Sequence, residues 1–432
     1  MASVSIGIDF GTSNSAAAIP GAGDAPARVL AIDEQAEDAR LLRSVLFFPD
    51  GSPAILAGAA AIEAYLRDFE GRFLQSIKTF LPSTAFTRTE IRRKTWKLEQ
   101  LIAFLLTRIR EAVEREVGGT PSHLVFGRPA VFSPDPEKDA LAQARLAEAV
   151  ALAGFPEPAF LIEPIAAALR YEESLDRDEV VLVADFGAGT SDFTLMQLGP
   201  SRRDVLDRRG DVIASSGVYI GGDRFDAAIV QHRLLRLFGY GSTYATMLQR
   251  TELPHWMTRK LLAWHELSVL REKSNLDFLQ NAVKTSDRPR ELQNLVTLTE
   301  ENLGFHLYRV VEEAKRRLSE IDEAPLSFHE ADIDIETGVT RAEFERWTAP
   351  LRTELLHAAD RCLAKGHGRA PDAVFLTGGT SKIPSVRQAF AERFGESLLR
   401  EGDAFTSVAA GLGRAAGLLA SGGAALGRGA VG

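Results

Sequence analysis

Cysteine is nearly absent: Cys362 is the only one among 432 residues. A single thiol cannot close a disulfide within the chain or build a cysteine-cluster metal site. Its place in a helical pattern predicts a packed thiol, not a nucleophile. No run of about 18 apolar residues occurs, which excludes an ordinary membrane-crossing helix. The opening residues, Met1-Ala2-Ser3-Val4, carry neither the charge nor the apolar run of a secretory leader. A cytoplasmic protein without a membrane partner is expected. Basic charge is not in excess either: 59 Asp and Glu outnumber 50 Lys and Arg, a net of −9. Tracking a phosphate backbone calls for a basic face, so no nucleic-acid partner is expected. Two common phosphate motifs are missing as well. There is no Gly-x-x-x-x-Gly-Lys-Ser/Thr stretch, and 187–192 fails the dinucleotide fingerprint at its third glycine.

What is present is a motif that occurs twice. Val4-Ser5-Ile6-Gly7-Ile8-Asp9-Phe10-Gly11-Thr12-Ser13-Asn14-Ser15 returns as Val181-Leu182-Val183-Ala184-Asp185-Phe186-Gly187-Ala188-Gly189-Thr190-Ser191-Asp192. Each is an apolar strand ending in Asp-Phe-Gly, then a small hydroxyl-rich turn, then a second apolar run. Singly, either could be a β-turn whose Asp bonds its own backbone. As a pair, two such turns can face each other across a cleft. They would offer backbone N–H groups to phosphate oxygens and carboxylates to a metal ion through its waters. That pattern points to a two-lobed nucleotide-binding protein.

Apolar patterns predict strands at 4–8, 15–19, 44–48, 123–126, 159–162, 180–185, 193–198 and 373–377. Helical patterns run over 98–117, 137–153, 259–284, 307–321, 341–363 and 385–394. The mixture predicts an α/β fold. A first lobe is expected over 1–175 and a second over 176–418, with a mostly helical insertion at about 230–305 and a flexible Gly/Ala-rich tail at 419–432. Trp256, Trp264, His255 and His265 lie in that insertion, where such residues are mostly core.

Four further segments carry possible chemistry. In Val374-Phe375-Leu376-Thr377-Gly378-Gly379-Thr380-Ser381-Lys382-Ile383-Pro384, a strand ends in two glycines before a helix. The reason is close approach of a ligand or simply a tight turn. On the helix around 310–319, Leu307, Val310, Val311, Ala314, Leu318 and Ile321 form the predicted buried stripe. Glu312, Lys315, Arg316 and Ser319 share another face, which periodicity alone reads as a solvated salt-bridged surface. Glu163 closes a strand just before Pro164 and a run of alanines, where it would orient a water or favour the helix start. Gly221-Gly222-Asp223-Arg224 is a turn feeding a helix.

In this order, the segments resemble the ATPase domain of the DnaK-type heat-shock-protein-70 chaperones, within the actin, hexokinase and sugar-kinase superfamily. The resemblance spans about 4–418 and is most similar to short YegD-type members with the ATPase domain only. It implies an actin-like two-lobed ATPase with duplicated ribonuclease H-like lobes, binding ATP or ADP with Mg²⁺ and hydrolysing ATP slowly as a conformational switch. By matching position, Asp9, Asp185 and Asp192 would hold the metal, and Lys78, Glu163 and Asp185 would be catalytic. Gly11, Thr12, Ser13, Asn14, Gly187, Ala188, Gly189 and Thr190 would hold phosphates. Gly221, Gly222, Asp223, Glu312, Lys315, Arg316, Ser319, Gly378, Gly379, Thr380 and Lys382 would complete the nucleotide site, and the resemblance turns the polar helix stripe into a ligand contact.

Two departures stand out. Ala188 replaces a glycine of the second loop, tolerable if its φ is negative, and Phe405 stands where an acidic residue is usual near the adenosine edge. No peptide-binding domain is expected after the tail. The expected partners are a nucleotide and an unidentified protein client or co-chaperone, with the chain a monomer. A small-molecule kinase and an actin-like assembly ATPase are the alternatives.

Overall fold

The computed structural model describes residues 4–421 apart from 24, 68, 69, 206 and 404, and the side chains of Trp264, His265 and Ser268 also lie outside the description. Of the expected tail, 422–432 is likewise outside the described residues. The chain divides into two compact units. One comprises 1–219, 355–381 and 388–432, the other 220–354 and 382–387.

Both Asp-Phe-Gly runs form hairpins in the first unit. Val4–Phe10 pairs antiparallel with Asn14–Ile19, and Glu179–Phe186 with Ser191–Leu198. On its other side each first strand takes a parallel partner, Pro121–Arg128 in one sheet and Ala373–Thr377 in the other. A further parallel strand follows in each, Pro158–Ile162 and Leu399–Glu401. Beyond the second hairpin strand the path continues antiparallel into Arg28–Val29 and Val212–Val218, and in the first sheet Leu42–Arg43 also pairs with Asn14–Ile19. The two mixed sheets therefore repeat one strand order. Parallel neighbours need helical crossovers that cover the sheet faces, so the central strands read as continuous apolar runs. Val181, Leu182, Val183 and Ala184 are accordingly all buried.

Small residues set the packing of the helices. Glu163–Glu172 and Ser407–Ala420 approach so closely that a Cβ on Gly411 would stand 1.7 Å from the Ala166 carbonyl oxygen. A Cβ on Gly7 would stand 2.2 Å from the Gly413 nitrogen, so the same helix lies directly on the first strand. Ala166, Ala167 and Ala168 are buried against it. Cys362 is a buried free thiol whose Sγ lies 3.4 Å from the Phe193 carbonyl oxygen, and burial pushes its pKa up to about 11. It is a packed thiol, as its helical position predicts.

The second unit corrects two expectations. The helix expected over 259–284 is broken into His255–Arg259, the 3₁₀ turns Lys260–Leu262 and Trp264–Arg271, and Lys273–Val283. Extended backbone at Ala263 and Glu272 separates the pieces. Buried Leu261, Leu267 and Leu270 recur at multiples of three, the spacing of a 3₁₀ helix, which a helical pattern search accepts as α. The same stretch of chain also holds a hairpin, Thr243–Ala245 with Arg250–Glu252. Finally, Gly304–Arg317 ends before Ile321, which is 37% exposed and lies off the buried stripe. Among the described residues, no helix is long and apolar enough to cross a membrane.

Candidate functional site

The repeated hairpins place their carboxylates at equivalent positions. Asp9 is next to last in the first strand, opposite Ala16, and Asp185 is next to last in its counterpart, directly opposite Asp192. In the first turn Gly11 N–H donates to the Asn14 carbonyl oxygen at 3.0 Å, and a Cβ on Gly11 would stand 2.2 Å from that oxygen. Turn geometry alone therefore demands this glycine. Ser44 braces the loop, its Oγ donating to the Gly11 carbonyl at 2.8 Å and its N–H to that of Ser13 at 2.9 Å. Gly189 is different. A Cβ there would meet nothing within 4 Å, and its φ is not positive, so neither sterics nor conformation requires glycine. Ala188 is not among the residues with positive φ, and the condition for accepting it in the loop is met.

Glu163 occupies the start of the helix Glu163–Glu172 and accepts a hydrogen bond from Lys78 Nζ at 2.7 Å. Lys78 is 9% exposed and comes from the single 3₁₀ turn Ile77–Phe80. Charge concentrates here. Burial pushes Asp9 up to about 7, with Glu163 adding to the rise and Lys78 opposing it. Burial and then Glu163 likewise push Asp192 up to about 7 against a Thr190 hydrogen bond and Lys78. Asp185 is raised well above the usual range by burial and by Glu163, Asp192 and Asp9 together. Lys78 is the cation that opposes all three rises.

An all-oxygen donor set short of positive charge fits Mg²⁺, which keeps several waters and needs only one or two carboxylates besides phosphate oxygens. Among the described residues, no group of three or more His, Cys, Asp or Glu could hold a metal ion by itself. Waters and phosphates would have to supply the remaining ligands.

The raised carboxyls also fix a pH dependence. Each binds its proton more tightly folded than unfolded, so its stabilising contribution is complete below the ordinary value of 3.8 and is lost as pH rises through about 7. Protein free of nucleotide and metal is expected to melt about 2–4 °C higher at pH 6 than at pH 8. The difference should shrink in Asp9→Asn; calorimetry showing no difference, or the reverse sign, would contradict the burial of these groups.

The resemblance names Lys78, but nothing in the sequence shows what holds it. A lone 3₁₀ turn has little stability of its own, and Ser76 just before it sits at φ 54. Arg145, 8% exposed, donates from Nη1 to the carbonyls of Leu81 at 3.0 Å and Ser83 at 2.8 Å. Its Nε lies 3.2 Å from Glu99 Oε1, so a buried ion pair anchors the segment that follows Lys78. A single arginine in a helical pattern gives no sequence signal of this role.

The remaining segments are ordered within their own units. Gly378, at φ +85, lies against the Phe186 carbonyl oxygen, which a Cβ would approach to 2.2 Å. This glycine serves the tight turn beside the second Asp-Phe-Gly strand. Gly379 lies under the half-exposed ring of Phe405, and Thr380 is buried in the 3₁₀ turn Gly379–Lys382. Lys382 groups with the second unit. There, Gly221 and Gly222 begin the helix Gly222–Ile229, with Asp223 in its first turn. Lys315 reaches that helix, its Nζ 2.8 Å from Asp226 Oδ2 and 3.4 Å from the Gly222 carbonyl. Burial lowers its proton affinity, but Asp226, Glu312 and Asp223 together raise it above the usual lysine range. Arg316 is exposed and paired with Glu313 at 2.9 Å, and Ser319 lies just beyond the end of Gly304–Arg317.

The family described as Hsp70 protein matches residues 5–243 and 291–425, leaving 244–290 outside the match. The chain is 25% identical over 435 residues to the chaperone protein DnaK of Thermus thermophilus, covering 96% of this chain and 60% of that protein. It is 27% identical over 425 residues to the DnaK of Thermosipho africanus, covering 96% and 59%. The chain therefore spans about six-tenths of the length of the curated relatives it matches.

Proposed function

The chain belongs to the Hsp70 family, and from that premise we propose that it binds ATP with Mg²⁺ at the two Asp-Phe-Gly turns and hydrolyses it as a nucleotide-controlled switch. The observation that carries this reading is the charge-deficient centre of Asp9, Asp185, Asp192 and Glu163 around Lys78. An unneutralised carboxylate cluster costs folding energy, and cation·phosphate binding offsets that cost. Gly189 adds to it, leaving open space beside the backbone that phosphate oxygens would approach closely.

Phosphoryl transfer to water depends on positioning and charge neutralisation. The turns 11–14 and 187–190 would hold the phosphates through backbone N–H groups and the hydroxyls of Thr12, Ser13 and Thr190. Asp9, Asp185 and Asp192 would hold the hydrated ion, which supplies charge neutralisation at the phosphates. Glu163, oriented by Lys78, would accept the hydrogen bond of the attacking water together with Asp185. Lys78 would stabilise charge developing on the terminal phosphate. Gly378, Gly379 and Thr380, in the turn beside the second Asp-Phe-Gly strand, would contact the nucleoside. Within the second unit, Lys315 would order the Gly221-Gly222 turn through Asp226.

Radiolabel from [γ-³²P]ATP should appear as inorganic phosphate. Transfer to a metabolite would replace this reading with a kinase. Arg145 then acts as a positioning residue for Lys78. Arg145→Met should lower kcat about tenfold with nucleotide affinity nearly unchanged. Combined with Lys78→Ala it should cost nothing further, whereas additive losses would show that Arg145 acts elsewhere.

A further inference from the structure

The most basic short stretch of this acidic chain is an exposed hairpin with no part in the proposed site. Arg88–Ile91 pairs with Lys94–Lys97 across a turn at Arg92 and Arg93. Arg88, Arg92, Arg93, Lys94 and Lys97 stand in it against one carboxylate, Glu90.

Two of its features oppose local stability. Arg92 and Arg93 have φ of 52° and 59°, the left-handed conformation of a tight hairpin turn that favours Asn-Gly. A side-chain Cβ carries a steric cost in each position. Arg88 and Lys97 are directly opposite in register, a like-charge pair that weakens the ladder. Arg88, Arg93 and Lys97 are exposed, and among the described residues they enter no ion pair.

The hairpin is nevertheless held firmly. Trp96 packs against Phe48 and Phe104 with ring centroids 6.0 and 5.3 Å apart. The Arg92 guanidinium lies 5.7 Å from the Phe48 ring centroid and donates to the carbonyls of Pro49 and Ala54. Local rules broken on a rigid, exposed element are the mark of a surface kept for binding.

We propose that the hairpin 88–97 is a docking site for an acidic, extended segment of a partner protein. Charge complementarity sets the sign, and size sets the class. Strands of four residues span about 13 Å, a length matched by alternating carboxylates on one short extended peptide. A nucleic acid calls for a longer basic track, and the net charge of −9 repels it elsewhere.

The test measures fluorescence anisotropy of a labelled peptide of alternating Glu and Ser, with a labelled single-stranded oligonucleotide and phosphatidylserine vesicles as competing ligands. The peptide should bind and weaken steeply with salt. Arg88→Ser combined with Lys97→Ser should weaken it about tenfold without lowering the melting temperature, since it removes a like-charge pair. Arg93→Gly should weaken binding yet raise the melting temperature by about 2 °C, because it relieves the left-handed turn. Failure of the wild type to bind the peptide, equal binding by the variants, or tighter binding of oligonucleotide or vesicles would each overturn the proposal. No nucleotide enters the assay, so the result is independent of the proposed ATP site.

Discussion

Replacing Asp9 or Asp185 by alanine is expected to abolish Mg²⁺-dependent ATP hydrolysis, a loss of at least about 10²–10³-fold in kcat. The two residues stand next to last in equivalent strands of sheets with the same order, and both contribute to one acidic centre. If that centre exists to hold a hydrated cation and phosphates, either substitution removes its purpose. The neutral isostere gives a sharper result. Asp185 is raised well above the usual range by burial and by Glu163, Asp192 and Asp9, so its charge opposes folding at neutral pH. Asp185→Asn should therefore abolish hydrolysis while raising the melting temperature of the nucleotide-free protein. A variant that lost both activity and stability would mark Asp185 as a structural residue, and undiminished hydrolysis in both alanine variants would remove the site assignment altogether.

The largest expected effect on stability comes from Gly411. A Cβ there would lie 1.7 Å from the Ala166 carbonyl oxygen and 2.5 Å from its carbon. These are backbone atoms of the helix that begins with Glu163, so no side chain can swing aside. Gly411→Ala must separate the two helices, at about 3 kcal/mol or more. A fall of roughly 5 °C or more in melting temperature is expected. Gly189→Ala serves as the contrast, since its Cβ meets nothing within 4 Å. Its stability should change by less than about 0.5 kcal/mol, with the damage confined to nucleotide affinity. Equal melting temperatures for Gly411→Ala and wild type would contradict the helix packing.

Both effects trace to residues that differ in how plainly the sequence shows them. The paired Asp-Phe-Gly runs are unmistakable because each joins a buried strand to a Gly-containing turn, and local composition encodes both. The strands expected at 123–126 and 373–377 are found as Pro121–Arg128 and Ala373–Thr377, because a central parallel strand is apolar on both faces. The helix expected over 98–117 is found as Leu98–Val117, where the 3.6-residue pattern is long enough to be decisive. The strand Glu323–Glu330 was equally available, since buried Ala324, Leu326 and Phe328 alternate with exposed neighbours. The stretch 259–284 misled because spacing by threes satisfies both α and 3₁₀ helices over so few turns.

The sequence by itself determined the repeated turns and the mixed α/β class, since short-range pattern suffices for each, and it singled out the carboxylates by residue chemistry. Tertiary structure alone decided which strands became neighbours, that Lys78 pairs with Glu163, and that Arg145 secures the turn carrying Lys78. It also decided which glycines serve close packing, as Gly411 does, and which leave open space, as Gly189 does. The reason is sequence distance. Partners 85 residues apart, as Lys78 and Glu163 are, leave no periodic trace in the chain. Their charges acquire shifted proton affinities only when folding removes water from around them.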